Sequence, residues 1–146
     1  MKVMVIVKAN QESEAGTMPS ERLLTEMGAF NQALVAAGMM LAGEGLHPTA
    51  RSVRVSLSGG KPAVLKGPFL PTEEQVAGFW LWQVTSLDEA IEWAKRIPHS
   101  DGGTSEFELR PVFEPEDFGP NLTPELREQE ARLRAQSGPR SEDAKG

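Results

Sequence analysis

The amino-acid sequence predicts an α+β domain, and three observations support this prediction. Short segments rich in β-branched and aromatic residues alternate apolar with polar side chains, as half-buried strands do. Two longer segments space their large apolar residues by three and four, which is the period of an amphipathic helix. The elements follow one another as strand, helix, strand, hairpin, strand, helix and strand. This order of two β-α-β halves around an inserted β-hairpin predicts a ferredoxin-like sandwich, with both helices on one face of an antiparallel sheet.

The predicted strands cover six segments: residues 2–8, 39–46, 51–57, 63–65, 77–84 and 105–113. The strongest of them, AGFWLWQV, places alternate large side chains on both faces of the sheet. The third and fourth segments predict a hairpin because the turn-forming sequence SGGK lies between them. The last segment is expected at a sheet edge, where Pro111 is tolerated.

Two helices are predicted from capping signals and apolar spacing. The first, of about 18 residues, has Pro19 in its first turn and ends at Gly38. Its apolar face consists of Leu23, Met27, Phe30 and Leu34. The second starts at a capping box formed by Ser86 and Glu89, and Pro98 prevents its continuation.

The length of 146 residues suits one compact domain, which we expect over residues 1–118. The composition then changes, and residues 119–146 are expected to form a C-terminal extension with a short helix at about 124–136 and a disordered tail. That helix has few large apolar residues, so we expect it to fray in solvent or to serve as an arm on a neighbouring subunit.

Composition and charge exclude several classes of protein. The chain has no cysteine, which excludes disulfide scaffolds and thiolate chemistry and suits a reducing compartment. A net charge of −6 disfavours binding to nucleic acid or to anionic membranes. The apolar runs are too short for a membrane span or a signal peptide, so we expect a cytoplasmic protein. The two histidines lack metal-ligand spacing, and we predict no metal and no cofactor.

A sheet with helices on one face leaves the other face uncovered. Large apolar side chains on both faces of the fifth predicted strand would then form a patch that soluble monomers rarely expose. We therefore expect a homodimer in which two sheets stack. The alternative is that the C-terminal segment folds back over the sheet.

Several blocks resemble a known family in their order and spacing: MKVMVIV, LVAAGMMLAGEGLHP, VLKGPF, GFWLWQVTSLDEAIEWAKRIP and ELRPV. The chain resembles the YCII-related family over about residues 1–113, specifically the subgroup named for a DGPF motif. The resemblance implies a dimeric α/β barrel of ferredoxin-like subunits. Members of the family look like small-molecule enzymes or binding proteins.

The sequence departs from the motif of this subgroup, DGPFAETKE, at charged positions. The chain has KGPFLPTEE there, so Lys66 replaces the aspartate, Pro71 replaces the first glutamate and Glu73 replaces the lysine. If the aspartate is the family's acid or base, this chain lacks it. The two exchanged charges suggest the hypothesis that Lys66 and Glu73 keep an ion pair with reversed polarity.

We predict three catalytic candidates. Glu44 lies between two glycines in an apolar segment, where partial desolvation would raise its pKa and suit it to acid-base chemistry. The alternative is a glutamate bonded to backbone amides in a turn. His47 titrates near neutrality but, in a loop before proline, is also consistent with an ordinary exposed side chain. Glu74 is retained from the motif. His99 follows a helix end, which favours a partner of the helix terminus.

The predicted substrate-binding residues are Lys66, Phe69, Arg54 and Arg110. The lysine and the two arginines would hold a carboxylate of the substrate. The alternative is that these three side chains are solvated and bind nothing. We interpret the tryptophans as core or interface residues.

These candidates predict a small-molecule-binding protein or an enzyme. Proton-transfer chemistry of the lyase or isomerase kind would act on a small anionic organic compound, in a pocket between the sheet and residues 66–74. The alternative is a non-catalytic ligand-binding or regulatory module that has lost the family's acid. A third class, a protein-interaction subunit, would depend on the C-terminal helix.

Overall fold

The computed structural model describes residues 1–99 and 103–139 of the chain. The chain divides into two compact units, Met1–Val112 and Phe113–Gly146. No helix in the described part is long and apolar enough to cross a membrane. The elements of the first unit are, in chain order, β1 (Lys2–Lys8), α1 (Gln11–Glu14), α2 (Glu21–Ala36), β2 (Met40–Gly45), β3 (Val53–Ser58), β4 (Lys61–Lys66), β5 (Val76–Gln83), α3 (Leu87–Ala94) and β6 (Phe107–Pro111).

Four of the strands form an antiparallel sheet in the order β2-β5-β1-β6. One buried cluster joins residues of both long helices of this unit to the same side of β1 and β5, so α2 and α3 pack on one face. The α+β fold with an antiparallel sheet and helices on one face is therefore confirmed, and β6 lies at an edge as predicted. The cluster consists of Val3, Val5, Phe30, Leu34, Met39, Trp80, Trp82, Val84, Ala90 and Ile97.

The other face of the sheet is also apolar at its centre. Met4 and Ile6 of β1 lie opposite Leu81 and Phe79 of β5. All four side chains are half-buried. The alternation predicted for β5 is confirmed, because its tryptophans lie on the helix side and Phe79 and Leu81 on the opposite side.

The predicted hairpin is confirmed as a separate two-stranded sheet, the β3–β4 ribbon. Every residue of both strands is exposed. On one face of the ribbon, Val55 lies opposite Val64, and these side chains are 60% and 65% exposed. Leu57, opposite Pro62, is 81% exposed. The apolar face of this ribbon is therefore exposed among the described residues. Two-stranded sheets are only marginally stable alone in water.

The first predicted helix is confirmed with a shorter span. Helix α2 has 16 residues, and its N-cap Ser20 accepts a hydrogen bond from the Leu23 amide (3.1 Å). Pro19 therefore precedes the cap instead of lying in the first turn. The preceding segment contains α1, which was not predicted from the sequence; the Asn10 side chain caps it by accepting from the Ser13 amide (2.9 Å).

The second predicted helix starts at its capping box, with one difference. The Ser86 hydroxyl accepts from the Glu89 amide (3.1 Å), as expected. The Glu89 carboxylate bonds to the hydroxyl and amide of Thr85 (both 2.6 Å) instead of the Ser86 amide. These two bonds, the hydroxyl first, lower the pKa of Glu89 below its usual value. Helix α3 ends at Ala94, so Ile97 joins the core from the following loop.

The second unit contains the predicted C-terminal helix, α4 (Pro124–Gln136). The Thr123 side chain caps it by accepting from the Leu126 amide (3.3 Å). No residue of α4 is buried. An i,i+4 ion pair joins Arg134 to Glu130 at 2.9 Å. The predicted disordered tail lies, from residue 140 onward, outside the described residues.

Candidate functional site

A cavity of about 370 Å³ opens between α2, the end of β2 and the middle of β5. A second cavity of about 390 Å³ shares Val7, Pro19, Met27 and Trp80 with it, so the two adjoin. We call them together the Trp80 cleft. The first cavity is also lined by Asn31, Gly43, Glu44, Gly45, Ala77, Gly78 and Phe79. The second is also lined by Asn10, Glu12, Ser13, Thr17, Met18, Ser20, Leu23, Pro98, His99, Ser105 and Phe107.

Trp80 is held in the wall of the cleft by its neighbours in the sheet and on α2. Its indole Nε1 donates a hydrogen bond to Asn31 Oδ1 (2.9 Å). The Phe30 ring packs edge-on against it, with ring centroids 5.9 Å apart. A Cβ added at Gly43, opposite Trp80 on β2, would lie 2.8 Å from Trp80 Cδ1. The glycine therefore leaves room for the indole beside β2.

One polar group of the cleft has unused hydrogen-bonding capacity. Since Asn31 Oδ1 accepts from Trp80, the Asn31 amide nitrogen is left to donate, and it has no partner among the described residues. The Glu44 carboxylate, at the end of β2, also has no partner among them, but it lies on the other face of the sheet. The cleft thus combines an apolar wall with a free donor, as ligand sites do.

The exposure of Glu44 differs from the expectation for a desolvated acid. Glu44 lies opposite Phe79 in the β2–β5 pairing, so its side chain is on the face of the sheet away from Trp80 and α2, where it is exposed. The apolar neighbours in the sequence therefore do not bury it. The alternative of a glutamate bonded to turn amides is wrong for the described residues, because Glu44 lies in a strand and has no such bond.

The segment that carries the family-like motif, residues 67–75, is here called the GPF loop. The Gly67 amide donates to Ser52 O (2.8 Å), and a Cβ at Gly67 would lie 1.7 Å from Thr49 O. Only glycine fits so close to a carbonyl. The Thr49 hydroxyl accepts from the Phe69 amide (3.0 Å) and donates to Glu14 Oε2 (2.5 Å). The loop is thereby fastened to α1.

The side chains of Phe69 and Arg54 are also engaged within the protein. Phe69 is buried, and the Arg54 guanidinium carbon lies 3.9 Å from the centroid of its ring. Arg54 Nη2 donates to Gln75 Oε1 (3.2 Å), and Gln75 Nε2 donates to Pro71 O (3.1 Å). These two predicted binding residues therefore stabilise the GPF loop in this structure.

The remaining predicted site residues are scattered. His47 is exposed, with Arg51 Nη1 3.0 Å from its ring nitrogens. Glu74 is exposed at the end of a short 3-10 turn, and Lys66 is exposed at the end of β4. Arg110 is exposed on β6, opposite Met4. Of the predicted set, Glu44 lines the Trp80 cleft and the others do not.

The hypothesis of a reversed ion pair in the loop is wrong. Lys66 and Glu73 are both exposed, and within the described part of the chain no ion pair joins them. Exposed pairs of this kind stabilise little even when they form, so the loop does not depend on these charges.

The comparison with known families identifies the chain. The family model of the YCII-related domain matches residues 1–115. The chain belongs to the YCII-related family. A relative from Rhizobium meliloti (strain 1021), the uncharacterised protein R00369, is 34% identical over 92 residues, which are 63% of this chain and 74% of the relative. Membership of the DGPF subgroup stays a prediction.

In this YCII-related chain, sequence reasoning missed Asn31 and assigned Trp80 to packing alone. Trp80 is in fact buried and also lines the cleft. A signal for Asn31 exists in the sequence, because it lies four residues after Met27 and therefore on the apolar face of α2. A polar residue on that face needs a partner or a ligand.

Proposed function

We propose that this YCII-related chain binds a small organic compound in the Trp80 cleft. The observation that supports this most is the free amide nitrogen of Asn31 beside an apolar wall. Cavities of about 300 to 1,000 Å³ with few polar groups are typical of small-molecule sites. Each adjoining cavity lies in that range, at about 370 and 390 Å³.

An enzymatic role in the cleft has no support from Glu44, the predicted proton donor or acceptor, because its side chain lies on the other face of the sheet. The Asn31 amide would hold an oxygen of the bound compound in place. Acid-base chemistry needs the carboxylate within about 2.6 to 3.2 Å of the atom that gains or loses the proton.

A non-catalytic ligand-binding module is the second candidate. Its support is that Glu44 is the only titratable residue among the lining residues of the first cavity, all of which lie in the described part, and that its side chain points to the other face of the sheet. His47 and Glu74, the other predicted catalytic residues, do not line this cavity. A cavity with no titratable side chain directed into it suits binding better than proton transfer.

The cleft does not support the sequence-based expectation that the bound compound is an anion. That expectation depended on Lys66, Arg54 and Arg110, and the cleft is lined by none of them.

A homodimer is also part of the proposal. The β3–β4 ribbon has an exposed apolar face that a second copy would cover, in addition to the outer face of the sheet. Sedimentation velocity of Val55→Glu against Ser56→Glu tests this, because adjacent strand residues point to opposite faces. We expect the first variant to weaken the dimer more, and equal sedimentation of both variants as dimers would contradict a role of the apolar face.

A thermal-shift screen with a metabolite library tests the binding function. A ligand that binds the folded state raises its stability by about 2.7 kcal/mol at a hundred-fold excess over Kd. The screen compares the natural chain with Gly45→Leu, which adds bulk at a cavity-lining residue on the same face of the sheet as Trp80, where nothing lies within 4 Å of an added Cβ. We expect compounds that stabilise the natural chain and not the variant. Equal stabilisation of both chains by every hit would contradict binding in the cleft.

A further inference from the structure

The orientation of the Asn31 side chain defines a hydrogen bond that a ligand can make in the first cavity of the cleft. The indole N–H of Trp80 only donates, so the Asn31 atom 2.9 Å from it is the amide oxygen. The amide nitrogen can only donate, and it has no partner among the described residues. A group of the compound that bonds to this nitrogen must therefore be a hydrogen-bond acceptor.

Three glycines leave part of the floor of this cavity without side chains. Gly43, Gly45 and Gly78 lie on the same face of the sheet as Trp80, because Gly43 pairs with Trp80 and Gly45 pairs with Gly78. The Trp80 indole occupies the space above Gly43, whereas nothing lies within 4 Å of a Cβ added at Gly45. Glycines in strands often mark a close approach of a ligand to the backbone. The open floor at Gly45, about 7 Å along β2 from Gly43, therefore admits a flat body that lies directly on the sheet.

The described lining residues direct no charged side chain into the first cavity. Glu44 is the only titratable residue among them, and its side chain lies on the other face of the sheet. A charged group beside Asn31 would lose water without gaining a counter-ion, and burial of an unpaired charge is unfavourable. Glu12 and His99 line the second cavity and not the first, so the first cavity suits an uncharged part of the compound.

We infer that the first cavity binds an uncharged, flat ring that carries a carbonyl oxygen. This inference rests on the proposed binding function and deepens it by giving the chemical class of the ligand. The carbonyl oxygen accepts from the Asn31 amide nitrogen, and the ring lies over Gly45 and packs against Trp80 and Met27. A carbonyl group in the plane of the ring keeps the compound flat and offers two lone pairs to the donor.

Four sets of fragments with the same aromatic rings test the chemical class: aryl methyl ketones, aryl carboxylates, benzylamines and alkylbenzenes. Binding is followed in ¹⁵N spectra by the indole N–H signal of Trp80, which is assigned through Trp80→Phe. A shift that Gly45→Leu abolishes is counted as binding in the first cavity. We expect the ketones to bind there about two- to ten-fold more tightly than the alkylbenzenes, because they make one more hydrogen bond. We expect both charged sets to bind there more weakly than the ketones.

The outcomes of this experiment separate the inference from the proposed function. Carboxylates, benzylamines or alkylbenzenes that bind the first cavity as tightly as the ketones would overturn the inference while leaving the proposed function intact. Cyclohexyl methyl ketone that binds as tightly as acetophenone would overturn the assignment of a flat ring. If no fragment of any set gives a Trp80 shift that depends on Gly45, the proposed function falls, and the inference falls with it.

The role of Asn31 is tested with Asn31→Asp, which keeps an oxygen for the Trp80 indole and replaces the donor by a second carboxylate oxygen. We expect the affinity for the ketones to fall about ten-fold or more, because their oxygen loses its donor. The benzylamines should become the tightest set, because the new carboxylate pairs with their ammonium group. Asn121→Asp, at an exposed position of the second unit, is the control for the added charge. Equal fragment preferences of the two variants would overturn the assigned role of Asn31.

A second variant, Asn31→Ala, removes the donor without adding a charge, and it decides the question if the aspartate variant does not fold. We expect its affinity for the ketones to fall to that for the alkylbenzenes, since the two sets then differ by no hydrogen bond to the protein. Ketones that keep their advantage over the alkylbenzenes in Asn31→Ala would overturn the inference.

Discussion

The GPF loop and the Trp80 cleft differ in how completely their polar groups are used. In the loop, the Thr49 hydroxyl, the Arg54 guanidinium and the Gln75 amide all bond to other parts of the chain. In the cleft, the Asn31 amide nitrogen has no partner among the described residues, and neither has the Glu44 carboxylate on the other face of β2. The motif-bearing segment thus stabilises the domain, while the unused polar groups lie elsewhere.

This difference shows why a polar residue in a motif is weak evidence for a binding role. Buried polar groups are almost always hydrogen-bonded, and a loop next to a buried strand needs such bonds to fold. A binding residue is better recognised by a hydrogen-bonding group that lies beside a cavity and has no partner within the protein. If this distinction holds, substitutions in the GPF loop lower the free energy of unfolding, and substitution of a polar group without a partner does not.

The largest effect is expected at Gly67. Gly67→Ala places a Cβ 1.7 Å from the Thr49 carbonyl oxygen, which is backbone and cannot turn away. We expect a loss of about 3 kcal/mol or more in the free energy of unfolding, measured by urea denaturation. The control is Gly28→Ala in α2, where nothing lies within 4 Å, and a gain of about 0.5 to 1 kcal/mol is expected. Similar stabilities of the two variants would contradict the close approach at Gly67.

The next effect is expected at Thr49. Thr49→Val keeps the shape of this buried side chain but leaves the Phe69 amide without its acceptor and removes a bond to Glu14. An unsatisfied buried donor costs about 1 to 3 kcal/mol, and we expect a loss of that size in chemical denaturation. Thr49→Ser retains the hydroxyl and should lose less. If the serine variant is the less stable of the two, the methyl group matters more than the bonds.

The fold could be predicted because its signals are local. Alternation in β5 and the three-four spacing in α2 each identify an element from neighbouring residues alone. The short helix α1 was missed because its capping by Asn10 is the only strong signal in four residues. The reciprocal bond of Glu89 went to Thr85, one residue earlier than the usual capping box, which sequence spacing does not distinguish.

The site could be predicted only in part, because contacts distant in sequence decide it. Glu44 was identified as a candidate and is among the residues that line the cleft, but the pairing of β2 with β5 directs its side chain to the other face of the sheet. Arg54 was predicted to be a free cation, but its guanidinium contacts the Phe69 ring and donates to Gln75, and both residues are distant from it in the sequence. Strand periodicity predicts on which face of the sheet a side chain lies, but it does not predict which residues the side chain contacts.

A smaller effect is expected at Arg54. Arg54→Met removes the cation from the Phe69 ring and the bond to Gln75 while keeping a long apolar side chain. A cation–π contact at an exposed site contributes about 0.5 to 1 kcal/mol, so we expect a loss of roughly 1 kcal/mol on unfolding by urea. Arg110→Met, at an exposed position of the edge strand β6 with no side-chain partner among the described residues, should change stability by less than about 0.5 kcal/mol. Equal losses would show that Arg54 is not fastened to the loop.

The smallest effect on stability is expected at Glu44. Glu44→Gln keeps the size of an exposed side chain that has no partner in the described chain, so the free energy of unfolding should change by less than about 0.5 kcal/mol. Glu14→Gln is the matched variant, because the carboxylate of Glu14 accepts from both the amide and the hydroxyl of Thr49. Hydrogen bonds to a charged group contribute about 1.5 to 3 kcal/mol, so this second variant should unfold more readily. Two identical substitutions would thus separate a carboxylate that the fold uses from one that it leaves available for a ligand, and a destabilised Glu44→Gln would show that Glu44 also belongs to the structural group.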